Sequence, residues 1–342
     1  MQDVLSQYGF SESDCSIGPL GNGLINITWL VKSAGKKYVL QKINHTIFSS
    51  PGDIAYNIRL LADHLKQDHP DYLFVSPIRT LNGEDLVKTT DGFFRLFPFI
   101  NHSHTIDVVE KPEQAYEAAK QFGKFTRLVS GLDTGQLKIT LPDFHNLGLR
   151  YRQFEEALLN GNAGRIKESA TLIDFIKANK NIVDEFERSK ENLELRCIHH
   201  DTKISNVLFD ETGKGLCVID LDTVMPGYFI SDVGDMMRTY LSPVSEEEKD
   251  FSRIRVRKEY YEAIENGYLS EMGEELTATE KSFFHYSGKF MIYMQALRFL
   301  TDHINDDKYY GAKYEGHNFI RAGNQVTLLQ RLVEFNQNEM SV

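Results

Sequence analysis

Apolar side chains change their spacing once along this chain, and that change restricts the fold more than any other feature. Ile25, Ile27, Trp29 and Val31 take alternate positions, the period of a half-buried strand. After the turn-like SAG at 33–35, KKYVLQKIN supplies the second arm of a hairpin. A helix follows, because Ile54, Ile58, Leu61 and Leu65 recur at helical spacing behind SSPGD, where Asp53 is placed to cap it. The run GFFRLFPFI at 92–100 reads as a further strand stopped by Pro98. Beyond it the helical period takes over, with segments near 110–130, 147–160, 165–190, 245–269 and 278–304. Only two short strands, around NVLFD and GLCVIDL, interrupt them. This order predicts an α+β chain, with a small sheet lobe over residues 1–98 and a larger helical lobe over 99–342.

Bulk properties narrow the function. A chain of 342 residues has length for about two domains or lobes. With 41% apolar and 25% charged residues it is an ordinary globular protein. A net charge of −11 without a Lys/Arg block excludes an extended nucleic-acid footprint. Cationic or neutral partners remain open. Cys15, Cys197 and Cys217 form neither a zinc knuckle nor a CxxC pair, and MQDVLSQYGF has no basic start followed by an apolar core. The most apolar window, 290–300, is too short to span a bilayer and carries Arg298. The expectation is a reduced, cytoplasmic protein that engages no membrane.

Chemistry concentrates in CIHHDTKISNVLFDETGKGLCVIDLDT at 197–223. Asp220 and Asp222 stand two apart on a predicted strand, so their carboxylates would leave one face about 6.6 Å apart at Cα. Such a pair repels unless neutralised, and a hard cation such as Mg2+, taking carboxylate and amide oxygens, would remove the repulsion and recruit Asn206. A polar strand end facing water is the alternative for an isolated D-x-D. HHDTKISN sets the pair in context, because His199, Asp201 and Asn206 make the H-x-D-x-x-x-x-N order of a kinase catalytic loop. In that order the aspartate orients or accepts the proton of an acceptor hydroxyl, and the asparagine and Asp220 hold magnesium. Lys203 is placed to stabilise charge on a transferred phosphoryl group. Adjacent His199 and His200 point to opposite sides and suit no common zinc, so His199 is expected to pack beneath the loop and bond its backbone.

The stretches CIHHDTKISNVLF and VIDLDTVMPGYFISDVGD, with the strand-rich front end, resemble the aminoglycoside phosphotransferase and choline kinase-like family. Within it, HDTKISNVLFD, VIDLDTVMPGYF, LRFLTDHIND and EGHNFIRAGNQ are most similar to the N-acetylhexosamine 1-kinases. The resemblance implies a protein-kinase-like two-lobed fold with a small five-stranded antiparallel sheet, ATP as co-substrate and Mg2+ as cofactor. It implies Asp201 as the base and Asn206 and Asp220 as metal ligands, with Asp222 auxiliary, through water. Asp232 of ISDVGD would brace the catalytic loop. Gly21, Asn22 and Gly23 in GPLGNGLINITWLV would form the nucleotide loop, with Asn26 where a third glycine is usual. Lys42 would be the strand lysine on the donor phosphates, although the following helix offers no glutamate partner for it. Ile100 would lie near the adenine at the inter-lobe hinge.

For the acceptor, the resemblance suggests that Arg298, Tyr309 and Arg321 border a sugar. Pairing of Arg298 with Asp302, one helical turn on, is the alternative. PDFHNLGLRYRQF at 142–154 either lines the cleft or only starts a helix. The expected reaction is transfer of the γ-phosphoryl of ATP to the anomeric hydroxyl of an N-acetylhexosamine. Choline, homoserine, an aminoglycoside or another sugar are alternative acceptors, and a silent nucleotide- or sugar-binding protein and a metal-dependent hydrolase are alternatives of other classes. Nothing in the sequence fixes an oligomeric state.

Overall fold

A computed structural model describes residues 1–11, 15–21 and 25–339. After the short helix α1 (Gln2–Ser6), strands β1 (Cys15–Pro19), β2 (Ile27–Ser33) and β3 (Lys36–Ile43) form a meander. Helix α2 (Pro51–Asp68) follows, and β4 (Val87–Thr89) and β5 (Gly92–Pro98) complete a five-stranded sheet in the order β1-β2-β3-β5-β4. The neighbours of known register pair antiparallel, as the alternating pattern requires. Ala34 and Gly35, both at positive φ, make the β2–β3 turn, a geometry that matches the twist of the flanking strands.

The two faces of this sheet differ. One carries Val31, Leu40, Val87, Phe94 and Leu96 under Val4 and Leu5 of α1, a small core of its own. The opposite face looks toward the helical lobe. Helix α2 belongs to the larger core, where Ile54, Ile58, Leu61 and Leu65 are packed with the helical lobe. Its first helical residue is Pro51 behind Ser50, so Asp53 sits in the first turn rather than at the cap. Asn57, buried at 1% exposure, donates to the carbonyls of Lys138 (2.8 Å) and Val224 (3.1 Å) and accepts from the Lys138 N–H (2.8 Å). Asn57→Ala strands those three backbone groups and is expected to cost about 2–3 kcal/mol in a urea titration.

Residues 99–102 carry the chain out of the sheet into β6 (Ser103–His104), and helices α3 (Pro112–Leu128), α4 (Leu147–Asn160), α5 (Ala163–Glu168), α6 (Ala170–Ala178) and α7 (Asn181–Ser189) follow. Strands β7 (Arg196–Ile198), β8 (Val207–Asp210), β9 (Gly215–Val218) and β10 (Met225–Gly227) then build two small antiparallel sheets, β10-β7 and β6-β8-β9. The remainder is α8 (Phe229–Tyr240), α9 (Lys258–Met272), α10 (Ala278–Ser282), α11 (Phe284–Ile304) and α12 (His317–Glu339). The expected helix over 165–190 is broken into three, that over 245–269 starts only at Lys258, and α8 and α12 were not expected. Helix α11 packs against α12, α8 and α4. Where α3 crosses α9, a Cβ on Gly123 would stand 2.9 Å from the Tyr268 carbonyl, so the close approach requires glycine. No helix among the described residues is long and apolar enough to cross a membrane.

Candidate active site

The loop after β7 hangs from α8. Asp232, in the first turn of that helix, accepts the backbone N–H groups of His199 (3.0 Å) and His200 (2.7 Å). Asp235 accepts the Thr202 N–H at 2.9 Å, and the Tyr240 hydroxyl donates to the Thr202 carbonyl at 2.5 Å. Three residues of one helix therefore fix three of the four loop residues 199–202, leaving out only Asp201. Burial pushes the Asp232 carboxyl up to about 7, with the two N–H donors working against that rise. His200 takes a left-handed φ of +66°, and a Cβ on Gly227 would lie 2.3 Å from its Nε2. Glycine at 227 is therefore a condition of the loop's shape.

His199 is fully buried, with Nε2 2.9 Å from the Ile219 carbonyl and its ring edge-on to Phe122 at 5.1 Å. Burial lowers its pKa, so the imidazole is neutral. With the Nε2 proton on that carbonyl, Nδ1 is left to accept the Asp201 N–H, at 3.4 Å. The ring lies beneath the loop and orders its backbone.

Asp201 emerges from this scaffold partly exposed, with Lys203 Nζ 3.1 Å from Oδ1. Burial acts to raise its pKa, but the Lys203 ammonium outweighs it, and the carboxylate is held below its usual range. Asp201 in turn raises the Lys203 pKa. The Asn206 side chain donates to the Asp201 carbonyl at 2.9 Å, which leaves its amide oxygen as the atom for another partner. Across the β8–β9 hairpin, Ile219 N–H meets the Asn206 carbonyl at 2.9 Å, so Asp220 follows directly beside Asn206. Asp220 stands in a left-handed conformation, φ +61°, and its carboxyl is pushed up to about 7 by burial, then by Asp222 and Asp201. Asn206 is thus bonded to the Asp201 backbone on one side and to the residue before Asp220 on the other, which places the three in neighbouring stretches of chain.

That donor set fits a magnesium ion. Asn206 and Asp220 supply hard oxygens, and no group of three or more His, Cys, Asp or Glu side chains among the described residues forms a complete metal cage. Asn206 and Asp220 would hold such an ion, and it would supply positive charge beside Asp201.

The paired-aspartate strand is a correction. Strand β9 ends at Val218, and Asp222 lies in a 3-10 turn spanning Leu221–Thr223, so the two carboxylates do not share a strand face. Asp222 is 2% exposed and turned to the sheet lobe, with Arg95 Nη2 at 2.6 Å and Asn26 Nδ2 at 2.8 Å. Asn26 also accepts the Asn44 N–H at 2.9 Å, tying the end of the 20–26 loop to the same carboxylate.

Lys42 is a second correction. It pairs in register with Phe94 and lies over that ring, Nζ 5.8 Å from the centroid, on the face covered by α1. Its neighbour Gln41 faces the helical lobe, where its Oε1 accepts Arg95 Nε at 2.9 Å and Nη2 at 2.5 Å. The lysine is one residue out of phase with the cleft. Of the expected nucleotide loop, Gly21 has φ +69°, whereas Asn22 and Gly23 lie outside the described residues. Ile100 is half-buried in the crossing between the sheets, its carbonyl bonded by Ser103 Oγ at 2.7 Å.

Between α11 and α12 the structure gathers Arg298, Tyr309 and Arg321 around Tyr310. The two guanidinium carbons lie 5.4 and 5.5 Å from its ring centroid, and Arg298 Nη2 is 3.4 Å from the Tyr309 hydroxyl. Asp302 is not the partner of Arg298, because it accepts the N–H groups of Tyr309 (2.7 Å) and Tyr310 (2.9 Å). A cleft of about 420 Å³ opens here, bordered by Arg150, Gln153, Glu156, Arg298 and Tyr309. Residues 142–154 do both things expected of them: Asn146 caps α4 through the Leu149 N–H at 3.0 Å, and Phe144 lies 5.6 Å from the Arg298 guanidinium. Burial and then Arg298 lower the Arg150 pKa. Among the described residues neither arginine has a carboxylate partner, whereas Arg321 is paired with Glu246.

The residues that sequence reasoning passed over are Arg95, Gln41, Arg150 and Asp235. Arg95 gave a signal, since an arginine inside the apolar run GFFRLFPFI needs a buried counter-charge.

Solved structures share this architecture at low identity. An aminoglycoside phosphotransferase from Alicyclobacillus acidocaldarius superposes with a TM-score of 0.70 at 13% identity, covering 100% of this chain and 97% of its own. A microcompartment-associated aminopropanol kinase gives 0.67 at 18%, covering 98% and 97%. A spectinomycin phosphotransferase in complex with ADP and spectinomycin gives 0.60 at 14%, covering 96% and 95%. These likenesses establish the protein-kinase-like fold. Residues 16–276 match the model of the APH phosphotransferase enzyme family, and over that span, which holds the sheet lobe and the Asp201 loop, the chain belongs to it.

Proposed function

We propose that this phosphotransferase uses ATP and magnesium to phosphorylate the anomeric hydroxyl of an N-acetylhexosamine. The convergence of Asp201, Asn206 and Asp220 carries the reading of the reaction. Asp201, kept ionised by Lys203, accepts the proton of the attacking hydroxyl. Lys203 sits beside the path of the phosphoryl group and offsets the charge that spreads over its oxygens. Asn206 and Asp220 would hold magnesium, which would supply positive charge to offset that of the donor phosphates. The spectinomycin phosphotransferase of the same fold was crystallised with ADP, which supports an adenine nucleotide here.

The acceptor reading rests on the charge of the cleft. Glu156 and Asp302 also line the cleft, but Arg150 and Arg298 lack carboxylate partners among the described residues and repel each other, so a cationic amine placed between these two arginines would be opposed. A neutral sugar presents hydroxyl and acetamido oxygens that accept from guanidinium N–H groups, and Tyr309 and Tyr310 offer faces to its ring carbons. Choline, ethanolamine-like and aminoglycoside acceptors are disfavoured by the same argument.

The test is an ADP-release screen over N-acetylated hexosamines, neutral sugars and amino alcohols, with the phosphorylated position read by phosphorus NMR. A sugar 1-phosphate from N-acetylglucosamine or N-acetylgalactosamine is expected, and activity confined to amines would overturn the acceptor reading. Arg298→Ala is expected to raise the acceptor KM by at least about tenfold while the ATP KM stays within about twofold. Equal shifts in both constants would remove Arg298 from the acceptor site.

A further inference from the structure

We infer that Arg95 of β5, rather than Lys42 of β3, is the sheet-lobe cation that binds the donor phosphates, with Gln41 as its positioning residue. The inference rests on the kinase reading above and deepens it.

Strand register comes first. Gln41 pairs with Arg95 and Val39 with Phe97 across β3 and β5, so these four side chains share the face turned to the helical lobe. In a kinase-like fold the donor lies between that face and the Asp201 loop, and a cation on the sheet meets its phosphates. Lys42 points to the opposite face and cannot serve without breaking the strand. Val39 and Phe97, both half-buried, lie on the side of Arg95 nearer the Phe99–His102 crossing, where an apolar base would rest.

The state of Arg95 comes second. The side chain is 1% exposed and its guanidinium carbon lies 5.1 Å from the Phe97 ring centroid. Gln41 Oε1 takes Nε and Nη2, and Asp222 lies 2.6 Å from Nη2. Nη1 is buried with no hydrogen-bond partner among the described residues. A buried guanidinium with one face of its fork unused is costly unless an acceptor arrives. The acceptor chemistry that suits a planar fork next to a metal-type aspartate is a phosphate oxygen.

Position relative to the reacting centre comes third. Its ion-pair partner Asp222, at 2.6 Å, follows Asp220 by two residues in the same turn, so Arg95 stands beside the segment that carries the carboxylate that would hold the metal. Asp222 keeps the guanidinium reaching across the cleft, and the bond from Asn26 to Asp222 fixes the end of the glycine-containing loop at the same point. Asn26, Arg95 and the metal-type aspartate therefore face one stretch of donor phosphates.

The experiment compares MgATP with adenosine by calorimetry in the wild type, Arg95→Gln, Arg95→Lys and Lys42→Ala. Adenosine carries no phosphate, so loss of fold or of the base pocket weakens both ligands, whereas loss of a phosphate contact weakens only ATP. Arg95→Gln is expected to lose about tenfold to a hundredfold in ATP affinity with adenosine unchanged; Arg95→Lys should recover part of it, and Lys42→Ala should stay within about threefold for both. Should Arg95→Gln fail to fold because Asp222 is left unpaired, Arg95→Gln/Asp222→Asn removes both charges and is read in the same way. A wild-type preference for ATP over adenosine that survives in the Arg95 variants, or that vanishes in Lys42→Ala, overturns the role of Arg95 alone. A wild-type protein that binds neither ligand overturns the kinase reading itself, and this inference with it.

Discussion

Asp201→Asn is expected to lower kcat by about a thousandfold while the affinity for ATP stays within a few-fold. Asparagine keeps the shape of the side chain and can still accept a bond from Lys203, which now sits 3.1 Å away. It cannot take a proton. The loop should keep its shape, since Asp201 is held through backbone groups of its neighbours, by Asp232 and Asp235, rather than through its own carboxylate. Phosphoryl transfer depends mainly on positioning and charge, so the base is one of few groups whose loss affects the chemical step alone. Single-turnover quench measurements with saturating acceptor, beside a calorimetric ATP titration, separate the two effects. Near-full turnover in the variant would show that the proton leaves by another route and that Asp201 is not the base.

The division into a sheet lobe and a helical lobe was legible because it depends on period, and period survives errors of a few residues. The Asp201 loop was legible for a related reason: H-x-D-x-x-x-x-N and the aspartate after the next hairpin are fixed by local chain geometry, which spacing records. The face of a strand is recorded far more weakly. Between Gln41 and Lys42 a slip of one position exchanges cleft for outer face, and YVLQKIN has apolar residues on both parities, Val39 and Leu40, so it does not reveal its own register. Asp220 and Asp222 failed likewise, since the chain leaves β9 before either and turns left-handed at Asp220. Helix α8 was missed although Asp232, Asp235 and Arg238 recur at every third position, because the two aspartates on that face are buried against the Asp201 loop and not turned to water. Arg298 and Arg95 illustrate what composition can still reveal, because an arginine in an apolar segment marks an interaction even where its partner is unknown.

Asp232→Asn tests whether the loop's shape, and not only its chemistry, sets turnover. The carboxylate is fully buried and uses one oxygen for each of two backbone N–H groups, those of His199 and His200. An amide offers one oxygen, so its NH2 must face the other N–H, donor against donor. The expected cost is about 2–3 kcal/mol in a denaturant titration, a large share of the stability of an ordinary domain. His200 holds a positive φ that this bracing makes tenable, so the loop should relax there and carry Asp201 away from Asn206 and Asp220. Because Asp232 touches neither nucleotide nor acceptor, kcat should fall by at least about tenfold while both KM values change little. Asp232→Ala strands both N–H groups, should be less stable than the asparagine variant, and should show the same kcat-specific defect in whatever fraction folds. Lower stability with unchanged kcat would mean that Asp201 is positioned by Asp235, Tyr240 and the β8–β9 hairpin without help from Asp232.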